Sequence, residues 1–472
     1  MQSEIAGSRS MTEEDEDRAA TLEALVDAEQ ARFERLRPRS AAAWRQGQEH
    51  YLYGTPSHWM RRWAGGFPIY VDVAAGAHVR DVDGFDHVDF CLGDTGAMCG
   101  HAPEAVTRAV TRQISRGATT MLPTEDSLWV GAELSRRFGD CYWNLTTSAT
   151  DANRAAIRIA RMITGRRKVL VFSGCYHGSV DEAHVEIRDG HVGLRNMIHP
   201  NAVDYGAVAT VIEFNDVDAL EAALAPQDVA CVLAEPVMTN LGMIPPADGF
   251  HLALREVTRR AGTLLVIDET HTLSCGPGGY TALNGLEPDV LVAGKAIAGG
   301  IPAGIFGLDR EVAERLWAVV PRTNPRQRQS AHLGFGGTLA GNALTVAAIR
   351  AVLMDVLTPP AYAVMVENAE RLAADARGVI AQSGLPWHVT QIGARIEIMF
   401  MPVPPRNGAD VIAGRRPNLE TLMHAFYMNE GILITPFHGM LLTCPATTGG
   451  DVAVHAEVFD RFVSLVRDAG VV

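Results

Sequence analysis

The chain has 472 residues, of which 47% are hydrophobic and 20% are charged, a composition typical of a globular protein with a large core and more than one domain. Its net charge of −14 argues against a general binding surface for nucleic acid or for anionic membranes. The seven cysteines show no paired spacing of the kind that binds zinc or builds a disulfide framework, so no metal site is predicted. Because neither a signal-peptide pattern nor a run of about twenty apolar residues is present, we predict a cytoplasmic protein.

The N-terminal part of the chain predicts one helix followed by a small sheet. Residues 1–10 are predicted to lack regular structure, and the apolar spacing from Glu13 onward predicts a helix that Pro38 ends. Short alternating runs then predict an antiparallel meander around the turn Asp81–Gly84. We assign residues 1–92 to the N-terminal segment of a smaller domain.

Strand and helix patterns alternate through the middle of the chain. The apolar strand candidates are Lys168–Phe172, Ala209–Phe214, Ala230–Val237, Thr263–Asp268 and Val290–Ala293. Because helix-like stretches separate several of them, we predict an α/β fold with a mostly parallel sheet covered by helices. This large domain is predicted over residues 93–360, and residues 361–472 are predicted to form an α+β part that completes the smaller domain. Ligands of such sheets bind at the carboxyl ends of the strands.

Two neighbouring strand candidates end in residues suited to chemistry. Lys295 follows an apolar strand, and a lysine is rarely buried without a partner. Desolvation lowers the pKa of an amine, and a neutral amine can attack a carbonyl or hold an aldehyde cofactor as a Schiff base. Asp268 closes the preceding strand, where a carboxylate either keeps a ring nitrogen protonated or serves as a structural hydrogen-bond acceptor. The two residues predict a single site at one edge of the sheet.

Further candidates lie at turns that precede helices. The turn Ser148–Thr150 offers free backbone N–H groups to a phosphate, or is simply a helix N-cap. The same two interpretations apply to Gly337 and Thr338, which precede a later helix. Tyr176 follows a strand and either stacks on a flat ring or fills core space.

Taken in order, the hydroxyl turn, the aromatic residue, the carboxylate, the lysine and the Gly-Thr turn resemble the pattern of class III, fold type I aminotransferases that use pyridoxal 5'-phosphate (PLP). The resemblance extends from about Tyr51 to the C-terminus and is nearest to the glutamate-1-semialdehyde aminomutase-like branch. Its most specific stretches are Thr147–Arg161, Arg166–Gly178, Glu235–Pro246, Leu264–Glu269, Asp289–Gly304 and Gly337–Asn342.

The resemblance implies a role for each matching residue. Lys295 would hold the cofactor aldehyde and move a proton between carbons of the substrate and the cofactor, and Asp268 would pair with the pyridine nitrogen. Thr338 would reach the phosphate bound by the neighbouring subunit of a homodimer. The implied cofactor-binding residues are Ser148, Ala149, Thr150, Tyr176, Asn240, Asp268, Thr270, Lys295, Gly337 and Thr338.

Departures from the family pattern fall where the substrate would bind. The run Thr270–Cys275 replaces the usual Val-x-Thr-Gly-Phe-Arg, so no arginine stands at Cys275. His58 and Trp59 lie in the stretch where the aminomutase carries an arginine for the substrate carboxylate, and Asp94 stands where it has a tryptophan. An acidic, aromatic-lined pocket suits an amine better than glutamate semialdehyde. The substrate candidates are His58, Trp59, Asp94, Arg395 and His438, and for the last two a structural role is the alternative.

We therefore predict an aminotransferase that moves an amino group from an amine or amino-acid donor to a carbonyl acceptor in two half-reactions. The alternative is an intramolecular aminomutase of the glutamate-1-semialdehyde type. A cofactor-binding protein without catalysis and a scaffold without cofactor are further classes, although the first would be expected to lack Lys295 or Asp268. The predicted partners are small-molecule donors and acceptors and a second copy of the chain, with no nucleic acid and no membrane.

Overall fold

The computed structural model describes residues 13–188, 191–195, 204–320 and 333–472. The prediction for residues 1–10 lies outside these described residues. Within the described ranges no single helix is long and apolar enough to cross a membrane, but one pair of helices joined at a 70° bend meets the length and composition criteria together.

The α-helices are α1 (Glu13–Leu36), α2 (Pro38–Gly47), α3 (Glu104–Ile114), α4 (Asp126–Phe138), α5 (Ala149–Thr164), α6 (Val217–Leu224), α7 (Phe250–Ala261), α8 (Gly279–Leu283), α9 (Arg310–Val319), α10 (Ala343–Ala351), α11 (Pro359–Ser383), α12 (Gly408–Gly414), α13 (Pro417–Asn429) and α14 (Gly449–Asp468). Short 3-10 turns lie at His58–Arg61, Asp181–Ala183, Tyr205–Ala207, Thr272–Cys275 and Lys295–Ala298, and a π-helical turn lies at Val352–Val356.

The strands are β1 (Val71–Ala75), β2 (His78–Asp81), β3 (Asp86–Asp89), β4 (Cys141–Thr146), β5 (Lys168–Phe172), β6 (Val185–Arg188), β7 (His191–Leu194), β8 (Ala209–Ile212), β9 (Val229–Ala234), β10 (Leu264–Asp268), β11 (Val290–Ala293), β12 (Gly304–Asp309), β13 (His388–Ile392), β14 (Arg395–Met399), β15 (Ile432–Leu433) and β16 (Met440–Leu442).

Pro38 ends the first helix as predicted, but it also begins a second one. Helix α1 stops at Leu36, and Pro38 is the first residue of α2. A proline suits this position because the first helical residue needs no N–H donor and the ring already holds a helical φ.

Seven strands of the described residues form the central sheet in the order β4-β12-β11-β10-β9-β5-β8. Strands β8, β5, β9, β10 and β11 pair in parallel, and β12 runs antiparallel to both β11 and β4. The predicted α/β fold with a mostly parallel sheet is confirmed. The carboxyl ends of these parallel strands meet at one edge, where a ligand site is expected.

The sequence did not predict β4 and β12, and for β12 the reason lies in its glycines. A glycine lowers the strand propensity of a segment, so the run from Gly304 to Asp309 does not resemble a core strand. Both glycines are required by close packing. A Cβ at Gly304 would lie 2.3 Å from the Ser148 carbonyl oxygen, and one at Gly307 would lie 2.6 Å from the Trp143 ring.

The central sheet is buried on both faces. In β11, Val290 and Val292 belong to one hydrophobic cluster, while Leu291 and Ala293 belong to another on the opposite face. Helices cover both faces, so these strands are continuous apolar runs with no polar alternation. This burial places any charged residue at a strand end in surroundings of low polarity.

Among the described residues, three smaller sheets have the orders β1-β2-β3-β15, β13-β14-β16 and β6-β7. In the first, Ile432 and Leu433 of the C-terminal part pair in parallel with Val88 and Asp89 of the N-terminal part. The N-terminal and C-terminal parts of the chain thus contribute strands to the same sheet. The domain boundaries at residues 92 and 360 stay predictions.

Candidate active site

The strand ends of the central sheet open onto a cavity of about 370 Å³. Because parallel strands finish at the same edge, residues distant in sequence meet here. The lining residues are Gly96, Thr147, Ser148, Ala149, Thr150, Tyr176, His177, Gly178, Glu235, Asp268, Thr270, His271, Lys295, Gly300, Ile301, Pro302 and Ala303.

Lys295 projects from the end of β11 and is held by its backbone and by two side chains. Its φ is +47°, in the left-handed region that residues other than glycine seldom adopt. Its Nζ donates to Asp94 Oδ2 at 2.7 Å and lies 2.5 Å from His271 Nε2. Gly294 precedes it because a Cβ there would lie 2.8 Å from Ala149 Cβ. The amine is therefore placed at the cavity with little freedom.

Asp94 is presented by an unusual turn. Leu92, Gly93, Asp94 and Thr95 have φ values of 46°, 57°, 48° and 80°, so four successive residues are left-handed. Such a conformation is costly outside glycine and persists where the surroundings determine it. Burial acts to raise the pKa of Asp94, but the charge of Lys295 outweighs it and lowers the pKa. Asp94 is therefore an ionised carboxylate beside the lysine.

Asp268 lies at the end of β10 among hydrogen-bond donors. Its Oδ2 accepts from Asn153 Nδ2 at 2.7 Å and lies 3.0 Å from His177 Nδ1, while its Oδ1 accepts from Thr270 Oγ1 at 2.6 Å. Burial acts to raise the pKa of Asp268, but the hydrogen bonds from His177, Thr270 and Asn153 lower it to about 2. The carboxylate is thus ionised at neutral pH although it is almost completely buried.

The turn between β4 and α5 lines one end of the cavity. Ser148 is the N-cap of α5, and its Oγ accepts from the backbone N–H of Asp151 at 3.2 Å. The first N–H groups of a helix have no intrahelical acceptor and carry the positive end of its dipole. The cap and the anion-binding turn predicted from the sequence are therefore compatible interpretations of the same residues.

An aromatic wall completes the cavity. The rings of Tyr176 and Trp59 meet edge to face, with centroids 5.8 Å apart and an interplanar angle of 84°. Trp59 also contacts Phe437, and the guanidinium of Arg62 lies over both of these rings. His58 packs on Trp59 but is exposed. Tyr176 lines the cavity, whereas Trp59, a predicted substrate residue, contacts Tyr176 but is not itself part of the lining.

Comparison with known proteins agrees with this geometry. The family model described as aminotransferase class-III matches residues 59–453. The chain belongs to the class III aminotransferase family. It is 32% identical over 405 residues to glutamate-1-semialdehyde 2,1-aminomutase 1 of Bacillus cereus (strain G9842), covering 83% of this chain and 89% of that protein. The predicted family and its aminomutase-like branch are confirmed.

Solved structures of related enzymes superpose closely on this class III chain. A glutamate-1-semialdehyde aminomutase from Pseudomonas aeruginosa PAO1 is 53% identical, covers 95% of this chain and 99% of its own, and gives a TM-score of 0.92. A β-phenylalanine aminotransferase from Variovorax paradoxus is 26% identical, with coverage of 94% and 97% and a TM-score of 0.83. The fold is therefore shared with both mutases and transaminases.

PLP is the cofactor of this class III enzyme, as predicted. The residues of the cavity fit it. Ser148–Thr150 offer helix N-terminal amides to a phosphate, Asp268 offers an ionised carboxylate to a ring nitrogen, and Lys295 offers an amine to an aldehyde. Gly178 allows its loop to pack against Thr150, since a Cβ at this position would clash with Thr150 Oγ1.

Three implied cofactor residues lie outside the cavity of the single chain. Asn240 donates its amide to the Gly174 carbonyl at 3.0 Å. Gly337 and Thr338 are exposed, so their contact with a neighbouring subunit stays a prediction. Ala149 and Thr270 do line the cavity.

Arg395 and His438, predicted as substrate candidates with a structural alternative, also lie outside the lining. Arg395 is buried, and its Nη2 donates to Thr95 Oγ1 at 2.5 Å. His438 is buried with its Nδ1 2.8 Å from Glu397 Oε2. These contacts favour the structural alternative for both residues.

The sequence-based interpretation did not include His271 and Asn153 among the site residues. Only their positions could have indicated a role in the site, since His271 stands three residues after Asp268 and Asn153 lies one helical turn into α5. His177 was not among the predicted site residues either, although its ring contacts Asp268. Burial acts to lower the pKa of His177, but Cys175 and Asp268 raise it.

Proposed function

We propose that this class III enzyme moves an amino group within one small amino-carbonyl molecule, as an aminomutase. The observation that carries the proposal is the 53% identity, over nearly the full length of both chains, to a structure described as a glutamate-1-semialdehyde aminomutase. The relatives from Bacillus cereus bear the same name. This reaction was the alternative in the sequence-based prediction, and the comparisons favour it over transfer between two molecules.

The residues of the cavity have separable tasks in such a reaction. When bound, PLP supplies an electron sink for negative charge that develops on a substrate carbon. Asp268, ionised at neutral pH, would hold a proton on the ring nitrogen, and the turn before α5 would bind the phosphate. Lys295 would take and return the proton of the reacting carbon, since its nitrogen is held at the cavity by Asp94 and His271.

Transamination between two molecules is the second candidate, and the charge around Lys295 favours it. Among the described residues no arginine lines the cavity, although a bidentate arginine is the usual partner of a substrate carboxylate. The carboxylate of Asp94 instead lies 2.7 Å from the lysine nitrogen, with 27% of its side chain exposed. This arrangement suits an amine donor without a carboxylate near the reacting carbon.

The two candidates differ in whether a second substrate is needed. The purified enzyme would be incubated with glutamate-1-semialdehyde alone and with a panel of amines, each with and without an oxo-acid acceptor. The aminomutase is supported if glutamate-1-semialdehyde alone is converted into its isomer with the amine on carbon 1 and the ketone on carbon 2. Product that forms only when an acceptor is added would overturn the aminomutase in favour of the transaminase.

Homodimer formation belongs to the same proposal. Thr338 is exposed in the single chain, and the resemblance to the family implies that it contacts the cofactor phosphate bound by the neighbouring subunit. Sedimentation of the purified enzyme as a monomer that retains full turnover would contradict it.

A further inference from the structure

His271 stands in a hydrogen-bonded chain that begins at Lys295 and ends at a buried carboxylate. Its Nε2 lies 2.5 Å from Lys295 Nζ, and its Nδ1 contacts Thr239 Oγ1. Thr239 Oγ1 donates onward to Glu235 Oε2 at 2.7 Å, and the backbone N–H of Thr239 donates to the same oxygen at 3.2 Å. The resemblance and the comparisons assign none of these contacts.

We propose that His271 is a positioning residue for Lys295: its Nε2 accepts a hydrogen bond from the lysine nitrogen and thereby directs the reactive lone pair of that nitrogen into the cavity. The proposal rests on the proposed PLP chemistry but does not depend on whether the amino group moves within one molecule or between two.

The donors and acceptors along this series of hydrogen bonds follow from counting the hydrogens on each group. Thr239 Oγ1 carries one hydrogen, which it donates to Glu235, so it must accept from His271 Nδ1. A neutral imidazole carries one N–H, so a proton on Nδ1 leaves Nε2 with a lone pair that faces Lys295. Burial, followed by the charge of Lys295, lowers the pKa of His271 well below its ordinary value, which agrees with a neutral ring.

The same counting applies to the lysine. To take a proton from a reacting carbon the lysine nitrogen must first be neutral, and a neutral amine has two N–H donors and one lone pair. Asp94 Oδ2 and His271 Nε2 are two acceptors within hydrogen-bond distance of Nζ, so both donors are engaged and the lone pair is left for the cavity. Without His271 one donor is free, and the amine can rotate its lone pair away from the reacting carbon.

The His271 ring is itself held in place. The backbone that carries it is fixed, because His271 is the N-cap residue of the 3-10 turn Thr272–Cys275 and its backbone carbonyl accepts from Ser274 Oγ at 3.0 Å and from Arg395 Nη2 at 3.4 Å. Only 11% of its side chain is exposed. The charged groups that face the imidazole are Lys295, Asp94, Arg395, Glu235 and Asp268.

The test compares His271→Leu, which has no acceptor, with His271→Gln, which keeps one. The first readout is a pH titration of the visible absorbance of the bound cofactor in the holoenzyme. In the holoenzyme this nitrogen is bonded to the cofactor and carries a single hydrogen when protonated. An acceptor beside it stabilises that protonated form, so loss of the acceptor in His271→Leu is expected to move the titration midpoint down by about one pH unit. His271→Gln is expected to keep the midpoint of the unmodified enzyme.

The second readout is the separation of kcat from KM. We expect His271→Leu to lower kcat by about 10- to 100-fold with little change in KM, because proton transfer and not binding is impaired. Thr239→Val removes the partner that sets the tautomer and should lower kcat by a smaller factor, about 3- to 10-fold. If His271→Leu does not fold, Thr239→Val still measures the effect, with His271→Gln as the reference that keeps an acceptor.

The matched control is His388→Leu, which removes a partly buried histidine whose Nδ1 contacts the Met401 carbonyl at 2.8 Å. It should leave midpoint and kcat unchanged. An unshifted midpoint in His271→Leu, or the same losses in His271→Gln, would overturn the proposal. Because the absorbance titration needs no substrate, failure of the aminomutase proposal would leave this result standing.

Discussion

The two carboxylates of the site differ in what surrounds them. Asp268 is almost completely buried and is bonded by Asn153, His177 and Thr270, so its partners do not change when the lysine reacts. Asp94 is partly exposed, sits on a left-handed turn and has the Lys295 nitrogen as its side-chain partner. Its environment changes as soon as that nitrogen is engaged. Asp268 is thus suited to a constant task on the cofactor, and Asp94 to a contact that varies with the substrate.

Lys295→Ala removes the side-chain partner of Asp94 but none of the partners of Asp268, and it has the largest expected effect. Turnover should fall by at least roughly 1,000-fold, since the proton-transfer group and the covalent attachment of the cofactor are both lost. The measurement is kcat together with the visible absorbance of the enzyme. Lys168→Ala is the matched control, because Lys168 is also partly exposed and ion-paired, with Asp228, but lies outside the cavity. Equal losses in both variants would contradict the assignment of Lys295.

Asp268→Asn tests the carboxylate whose contacts stay the same when the lysine reacts. Loss of the charge should lower kcat about 100-fold, as is typical of groups that act in proton chemistry. The control is Asp451→Asn, which alters another buried aspartate that contacts a histidine, His78, at 2.9 Å. That variant should keep its kcat, and a loss there as large as in Asp268→Asn would argue for general destabilisation.

The pH dependence of stability gives a second measure of Asp268. Because the pKa of Asp268 is lowered from 3.8 to about 2, the ionised form stabilises the folded chain by about 2 kcal/mol above pH 4, and this contribution is lost as the pH falls towards 2. The free energy of unfolding of Asp268→Asn, measured in urea, should therefore change less between pH 4 and pH 2 than that of the unmodified protein. An equal slope would show that the folded-state pKa is not lowered.

Asp94→Asn tests the carboxylate whose surroundings change when the lysine nitrogen is engaged. The KM for a positively charged amine should rise about 10-fold, the effect expected for loss of one hydrogen bond to a charged group. Activity on glutamate-1-semialdehyde, whose ammonium and carboxylate charges cancel, should change less. Steady-state kinetics with both compounds measures the difference. A larger loss on glutamate-1-semialdehyde would mean that Asp94 does not select for positive charge.

Gly294→Ala has the smallest expected effect and tests how closely the lysine strand packs on the phosphate turn. A Cβ at this position would lie 2.8 Å from Ala149 Cβ, so the variant should lose about 1–3 kcal/mol of stability and bind PLP less tightly. Gly378→Ala is the control, since nothing lies within 4 Å of a Cβ there and the change favours the helix by about 0.5–1 kcal/mol. Thermal unfolding and PLP titration compare the two.

Much of the central sheet and of its edge could be predicted because apolar runs and strand ends are local signals. Asp268 and Lys295 were placed together since β10 and β11 are neighbours in sequence and in the sheet, with Asp268 opposite Val292. Strand β12 was missed because its glycines serve a close approach to Ser148 and Trp143 that no local pattern reveals. Arg395 and His438 were predicted as substrate candidates, but both side chains are buried in the interior, which no local pattern reveals.

By itself the sequence determined the family, the cofactor and the two residues that end neighbouring strands, because these depend on short motifs and on the period of apolar side chains. Only the tertiary structure decided what surrounds Lys295. Asp94 lies 201 residues before the lysine and reaches it through a left-handed turn, and His271 contacts Thr239 in the loop after β9. Hydrogen bonds between distant segments have no period in the sequence, so their partners are known only once the chain has folded.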